Sequence, residues 1–202
     1  MNELLIASNN TNKLSEIKAI LGDIPVKLLM PSDLDITIDV LEDGHSYYEN
    51  AQKKALAFFT SSGMVTLADD SGLEVEALGG LPGLRSHRFS PLPNATDKDR
   101  RDYLLQRLAP FPQPWLATFH CEIVIMNKSG AIFHTHGTCN GKIIPEERGS
   151  NGFGYDPIFF MPDHAATMAE LSDLTKNQVS HRAHALKNAV PILSTIFKFQ
   201  IA

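Results

Sequence analysis

Leu4-Leu5-Ile6-Ala7 is followed by Ser8-Asn9-Asn10-Thr11-Asn12-Lys13, after which Leu14, Ile17, Ile20 and Leu21 recur at helical spacing. The apolar run reads as a buried strand, the polar run as a loop, and the spaced residues as one face of a helix that Gly22 stops. The same alternation continues. Val26 to Met30 predicts a strand, and Asp33 to Gly44 is irregular and acidic. Ser46 with Glu49 three residues later suggests a capping box. Ala51, Ala55, Phe58 and Phe59 then give an apolar helix face ending near Gly63. Met64 to Ala68 predicts a buried strand that runs into Asp69-Asp70-Ser71-Gly72. Leu73 to Leu78 alternates at period two, so one of its faces is expected to be wet.

Gly79-Gly80-Leu81-Pro82-Gly83 is a turn-rich break. Thr96 and Asp99 cap a third helix that carries Leu104, Leu105 and Leu108. Pro110, Pro112 and Pro114 end it, a cluster that suits a stiff linker between lobes. Leu116–Met126 and Ala131–Thr138, joined by Asn127-Lys128-Ser129-Gly130, predict a hairpin. The last helix is expected to start near Ser180, with Pro191 kinking or splitting it. Helices alternating with strands early, and a hairpin in the middle, predict an α/β fold with a mixed sheet.

The chain's 202 residues suit one large domain, 1–202, or two lobes sharing a core. Hydrophobic residues make up 43% and charged residues 20%, which excludes wholesale disorder. A formal net charge of -5 disfavours a broad nucleic-acid-binding surface. No apolar run approaches the roughly 20 residues of a membrane span. Met1-Asn2-Glu3-Leu4 lacks the basic start of a signal peptide. Cys121 and Cys139 make neither a disulfide framework nor a CxxC pair. These features together predict a reduced, cytoplasmic, compact domain of enzyme size.

No Walker A loop, HExxH or GxSxG is present. His134 and His136 share a strand face without cysteine or acidic companions, so they read as structural or solvated rather than as a metal pair. Four stretches carry chemistry. Ser8 to Lys13 lies between a strand and a helix, where amides attract phosphate and Lys13 adds a charge, although small polar residues also cap most helices. Asp69-Asp70-Ser71-Gly72 follows a buried strand. Two adjacent carboxylates are not expected to point into a core together, since an unpaired buried charge is costly. They read either as an acidic turn or as a Mg²⁺ site that orients a water, with Glu42 as a further ligand. Gly149 to Asp156 is glycine-rich, and Phe153 or Tyr155 is placed to stack on a base. Lys176 and Ser180-His181-Arg182 put basic groups at a helix start. Together they describe an Mg-nucleotide site without a P-loop.

In this order the motifs resemble those of the non-canonical purine nucleoside triphosphate pyrophosphatases, the inosine/xanthosine triphosphatase family. The resemblance runs through Ser8–Lys13, Glu49-Asn50-Ala51 with Lys54, Ala68–Leu73, Leu78–Gly83, Gly152–Phe160 and Ser180–Arg182. It implies an elongated mixed sheet flanked by helices, two lobes with the active site in the cleft between them, a homodimer, and Mg²⁺. It also implies hydrolysis of ITP, dITP and XTP to the monophosphate and pyrophosphate. By the same resemblance, Ser8, Asn9, Asn10, Thr11, Asn12 and Lys13 are the triphosphate loop and Lys54 a further phosphate contact. Asp70 is the proton acceptor and a metal ligand, with Glu42 and Asp69 as further candidates. Ser71, Phe153, Gly154, Tyr155, Asp156, Lys176, His181 and Arg182 are the remaining nucleotide contacts. The chain departs from the family where Ser8-Asn9 stands for a common Thr-Gly and Leu41-Glu42 for two glutamates. A septum-inhibitor-like pyrophosphatase has different loop motifs. A sensor without turnover gains little from a water-activating acid.

Overall fold

The computed structural model describes residues 2–200. β1 (Glu3–Ile6) leads through the polar loop into α1 (Thr11–Leu21), and β2 (Lys27–Leu29) follows. α2 (Tyr47–Ser62) is capped by Ser46, whose Oγ accepts from the Glu49 amide at 3.1 Å. Glu49 returns a bond to the amide of His45 at 2.8 Å, one residue before the position a reciprocal box would use. Gly63 ends the helix at φ 66°, a conformation that glycine adopts without strain.

β3 (Thr66–Val75) runs straight through Asp69-Asp70-Ser71-Gly72. Those residues are therefore strand interior, not the acidic turn that their composition allows. β4 (Pro82–Gly83) pairs with β3. α3 (Asp97–Leu108) carries a complete Thr96/Asp99 capping box. β5 (Trp115–Met126) and β6 (Ile132–Ile143) form the hairpin, with Asn127 Oδ1 accepting from the amides of Ser129 and Ala131. β6 extends five residues past the predicted Thr138. β7 (Phe159–Met161), β8 (Ala166–Thr167), α4 (Asp173–Val179) and α5 (His181–Phe197) complete the chain. α5 passes through Pro191 without ending. Ala185, Leu186 and Ala189 before the proline, and Leu193 after it, are buried in one cluster that holds the helix together.

The sheet is mixed, in the order β2-β1-β3-β5-β6-β7-β8. β1 is parallel to β2 and β3, whereas β3–β4, β6–β7 and β7–β8 are antiparallel. The chain divides into two compact units; three of the divisions fall inside strands, after Asp70, His120 and Gly137, and the fourth falls after Ser180, before the last helix. The Pro110–Pro114 cluster lies within the second unit, so it is a connection between α3 and β5 and not a linker between lobes.

In the first unit the strands alternate by face. Leu4, Ile6, Val65, Leu67, Cys121, Ile123 and Ile125 pack with α1 and α5. Leu5, Ala7, Ala68 and Val124 pack with Ala51, Ala55 and Phe58 of α2. α1 and α5 therefore cover one face of this half of the sheet and α2 the other. Each fully buried Leu or Ile contributes about 1.5–3 kcal/mol. β6 runs so close to α5 that a Cβ on Gly137 would lie 2.3 Å from the His181 carbonyl oxygen and 2.4 Å from the Ala185 nitrogen. The second unit has its own core of Leu73, Leu104, Leu108, Trp115, Phe119, Tyr155 and Phe159 with their neighbours.

Candidate active site

The period of a strand decides where the two aspartates go. Asp69 follows Leu67 on the α1/α5 face, and Asp70 follows Ala68 on the α2 face. Both are buried, at 2% and 6% exposure. The sequence-based expectation that two adjacent carboxylates do not enter a core together is overturned, because each has a cation supplied by the helices on its own face.

On the α1/α5 face, Asp69 Oδ2 meets Lys13 Nζ at 2.9 Å and the Arg182 guanidinium at 3.3 Å. The other guanidinium nitrogen of Arg182 binds Glu16 of α1. Burial pushes the Asp69 carboxyl up, but Lys13 and Arg182 overcome that and hold it below the ordinary carboxylate range. The Arg182 charge is likewise reinforced by Asp69 and Glu16 against its own burial. Asp69 thus ties β3, α1 and α5 together.

On the α2 face, Lys54 Nζ sits 3.0 Å from Asp70 Oδ1 and 3.0 Å from Glu42 Oε1. Asn50 Nδ2 donates to Asp70 Oδ2 at 3.3 Å. Burial raises the Asp70 carboxyl above its ordinary value, with Lys54 and Lys13 opposing and Glu42 adding. Burial works against the Lys54 charge, but Asp70, Asp69 and Glu42 outweigh it, so the ammonium is retained. Of the three candidate metal ligands, Glu42 and Asp70 converge on one positive charge, while Asp69 is engaged on the opposite face. Their oxygens are the hard donors that Mg²⁺ prefers, and the fit is good. Among the described residues no cluster of three or more His, Cys, Asp and Glu is poised to hold a metal.

The polar loop is arranged differently from its reading as a set of open amides. Asn10 caps α1, its Oδ1 accepting from the Asn12 amide at 3.0 Å and the Lys13 amide at 3.1 Å. Ser8 Oγ accepts from the Asn10 amide. Asn9 donates to the Ile38 carbonyl, and Thr11 and Asn12 are exposed. His181 opens α5 and is buried beside Arg182.

In the second unit, part-exposed Ser71 continues β3 from Asp70. Asp156 Oδ2 accepts from the Phe153 amide at 2.9 Å and from Lys176 Nζ at 2.5 Å, which places the Lys176 ammonium 4.9 Å from the centre of the Phe153 ring. Gly152, at φ +73°, has no room for a Cβ, which would lie 2.1 Å from Asp156 Oδ2. Gly154 is held by Asp97 on its amide and Arg101 on its carbonyl, both at 2.8 Å. Tyr155 is buried, and its hydroxyl donates to the Ser86 carbonyl at 2.8 Å. Of the two aromatic candidates, only Phe153 is part-exposed.

Reading the sequence missed Asn50 as a partner of Asp70, Glu16 as a partner of Arg182, and Asp97 and Arg101 as supports of the glycine loop. Asn50 stands one helical turn before Lys54, a spacing that places both on one face of α2.

Residues 4–192 match the sequence model of the Ham1 family. The chain belongs to that family. A dITP/XTP pyrophosphatase of Desulforamulus reducens is 40% identical over 98% of both chains. The solved structure of a HAM1 protein from Coxiella burnetii superposes with a TM-score of 0.87 at 40% identity, covering 96% of this chain and all of that one. The Ham1 protein of Staphylococcus aureus gives 0.85 at 37% identity, over 96% of this chain and 99% of that one. Among the described residues of this Ham1 family member, no helix is long and apolar enough to cross a membrane.

Proposed function

We propose that this protein hydrolyses non-canonical purine nucleoside triphosphates, ITP, dITP and XTP, to the monophosphate and pyrophosphate. The observation that carries the reading is the buried Asp70 carboxylate, set with Glu42 against the Lys54 ammonium in a chain of the Ham1 family. Asp70 takes the proton of a water that attacks the α-phosphorus, the bond to the bridging oxygen breaks, and pyrophosphate leaves. Burial raises the affinity of Asp70 for a proton, which suits a general base. Lys54 and Lys13 offset charge on the departing pyrophosphate. Glu42 and Asp70 would hold Mg²⁺, which when bound neutralises phosphate oxygens.

Ser8 to Asn12 line the triphosphate. Ser71, Phe153 to Asp156, Lys176, His181 and Arg182 have the remaining nucleotide roles, Phe153 being the ring that stacks on the base. Inosine and xanthosine carry a 6-oxo acceptor where adenine carries a donor, and a site that donates there leaves adenine unpaired. Guanine must be refused at its 2-amino group. The resemblance adds a homodimer, and the composition a cytoplasmic setting. Steady-state kinetics on ITP, XTP, ATP and GTP, with and without Mg²⁺, tests the reading. The expected kcat/KM for ITP and XTP exceeds that for ATP and GTP by at least about 10²-fold. Values within about threefold of one another would replace the proposal with a general nucleotide pyrophosphatase.

A further inference from the structure

Asn50 is 1% exposed and lies on α2 between the strand that carries Asp70 and the loop that carries Glu42. Its Nδ2 donates to Asp70 Oδ2 at 3.3 Å, and its Oδ1 accepts from the Gly44 amide at 2.8 Å. Gly44 is two residues after Glu42. The fit is close, because a Cβ on Gly44 would lie 2.7 Å from Asn50 Oδ1 and 2.8 Å from Glu49 Cβ. Lys54 makes the parallel connection one turn later, binding Asp70 Oδ1 and Glu42 Oε1. Each oxygen of Asp70 is thus held by one residue of α2, and each of those residues also holds the acidic loop. A carboxamide is suited to the Asn50 position because it donates at one end and accepts at the other without adding charge. An aspartate there would set a second buried carboxylate against Asp70, and an alanine would leave buried polar groups unmatched.

We infer that Asn50 is a positioning residue of the hydrolysis: its side-chain amide fixes the orientation of the Asp70 carboxylate and the placement of the Glu42 loop against it. The inference rests on the reading in which Asp70 accepts the proton of the attacking water. Asn50 acts through Asp70, which its Nδ2 holds, so its effect on turnover disappears once Asp70 has no carboxylate.

A double-mutant cycle tests this. The kcat and KM for ITP and the thermal midpoint are measured for the wild type, Asn50→Ala, Asp70→Asn and the double variant, with rates expressed per folded molecule. Asn50→Ala is expected to lower kcat by about tenfold or more, the scale on which a misplaced catalytic group costs rate, with KM little changed. In the Asp70→Asn background the same substitution changes kcat by less than about twofold, since residues acting as a unit are not additive. Gly44→Ala, which displaces Asn50 Oδ1 while keeping its amide, reproduces the kcat loss and serves where Asn50→Ala does not fold. Additive losses across the cycle overturn the inference. So does an unchanged kcat in folded Asn50→Ala, or a loss that follows only the thermal midpoint. If Asp70→Asn keeps more than half the wild-type kcat, the role of Asp70 itself fails and the inference falls with it. An inactive Asp70→Asn with an additive cycle removes only the inference.

Discussion

Asp69 and Asp70 are adjacent in the chain and almost equally buried, yet they make their ion pairs on opposite faces of β3. Asp69 faces α1 and α5, where Lys13 and Arg182 neutralise it and Glu16 closes the far side of the arginine. Asp70 faces α2, where a single ammonium, Lys54, is shared with Glu42. The carboxyl with two cations of its own is held in its charged form. The one that must share is raised by burial toward accepting a proton. One residue of strand period separates a brace from a proposed base, and the partners of each follow from which helix face it meets.

If that contrast is right, Lys54→Met produces a large effect, second to loss of the Asp70 carboxylate itself. It leaves Glu42 and Asp70 facing without their shared cation and removes a charge from the proposed leaving-group side. The expected loss in kcat/KM for ITP is about 10²–10³-fold, the scale of a removed electrostatic stabiliser. Steady-state kinetics at saturating Mg²⁺ checks it, and an effect below about threefold breaks the assignment.

A smaller effect should appear in the pH dependence of stability. The folded Asp69 carboxyl lies below its unfolded value of about 3.9, so its stabilisation is complete above that pH and is lost as pH falls toward the folded value. Denaturation of the wild type below about pH 4 should therefore steepen by about one proton relative to Asp69→Asn. Parallel acid limbs for the two proteins would show that Lys13 and Arg182 do not hold the carboxylate down.

Much of the architecture was legible in the sequence because local signals and packing agree. The Leu14–Leu21 spacing, the Ser46 and Thr96 caps and the Asn127–Gly130 turn each specify an element by themselves. The readings failed where a distant partner decides. Asp69-Asp70-Ser71-Gly72 resembles a turn until Lys13, Lys54 and Arg182 arrive from three helices to neutralise it within a strand. Pro191 resembles a break until the buried residues on both sides of it hold α5. Pro110 to Pro114 resembles a linker, yet it lies inside the second unit. The site motifs were visible as short runs, but their division into two faces was not, since face follows from the continuity of β3. Tyr155 and Phe153 were equivalent as aromatics, and only the Tyr155 hydroxyl bond to Ser86 and its burial separate them.

The central claim is that neighbouring carboxylates on β3 serve different ends, and it is tested most directly by comparing Asp69→Asn with Asp70→Asn in one experiment. Both kcat for ITP and the urea midpoint are measured on each. The account predicts that Asp70→Asn loses about 10²–10⁴-fold in kcat while keeping a midpoint near that of the wild type. It predicts that Asp69→Asn loses about 3–5 kcal/mol of stability, as expected when one partner of a buried ion pair is removed, while its folded molecules retain more turnover than Asp70→Asn. A stable but inactive Asp69→Asn beside an Asp70→Asn that keeps more than half its activity would contradict it.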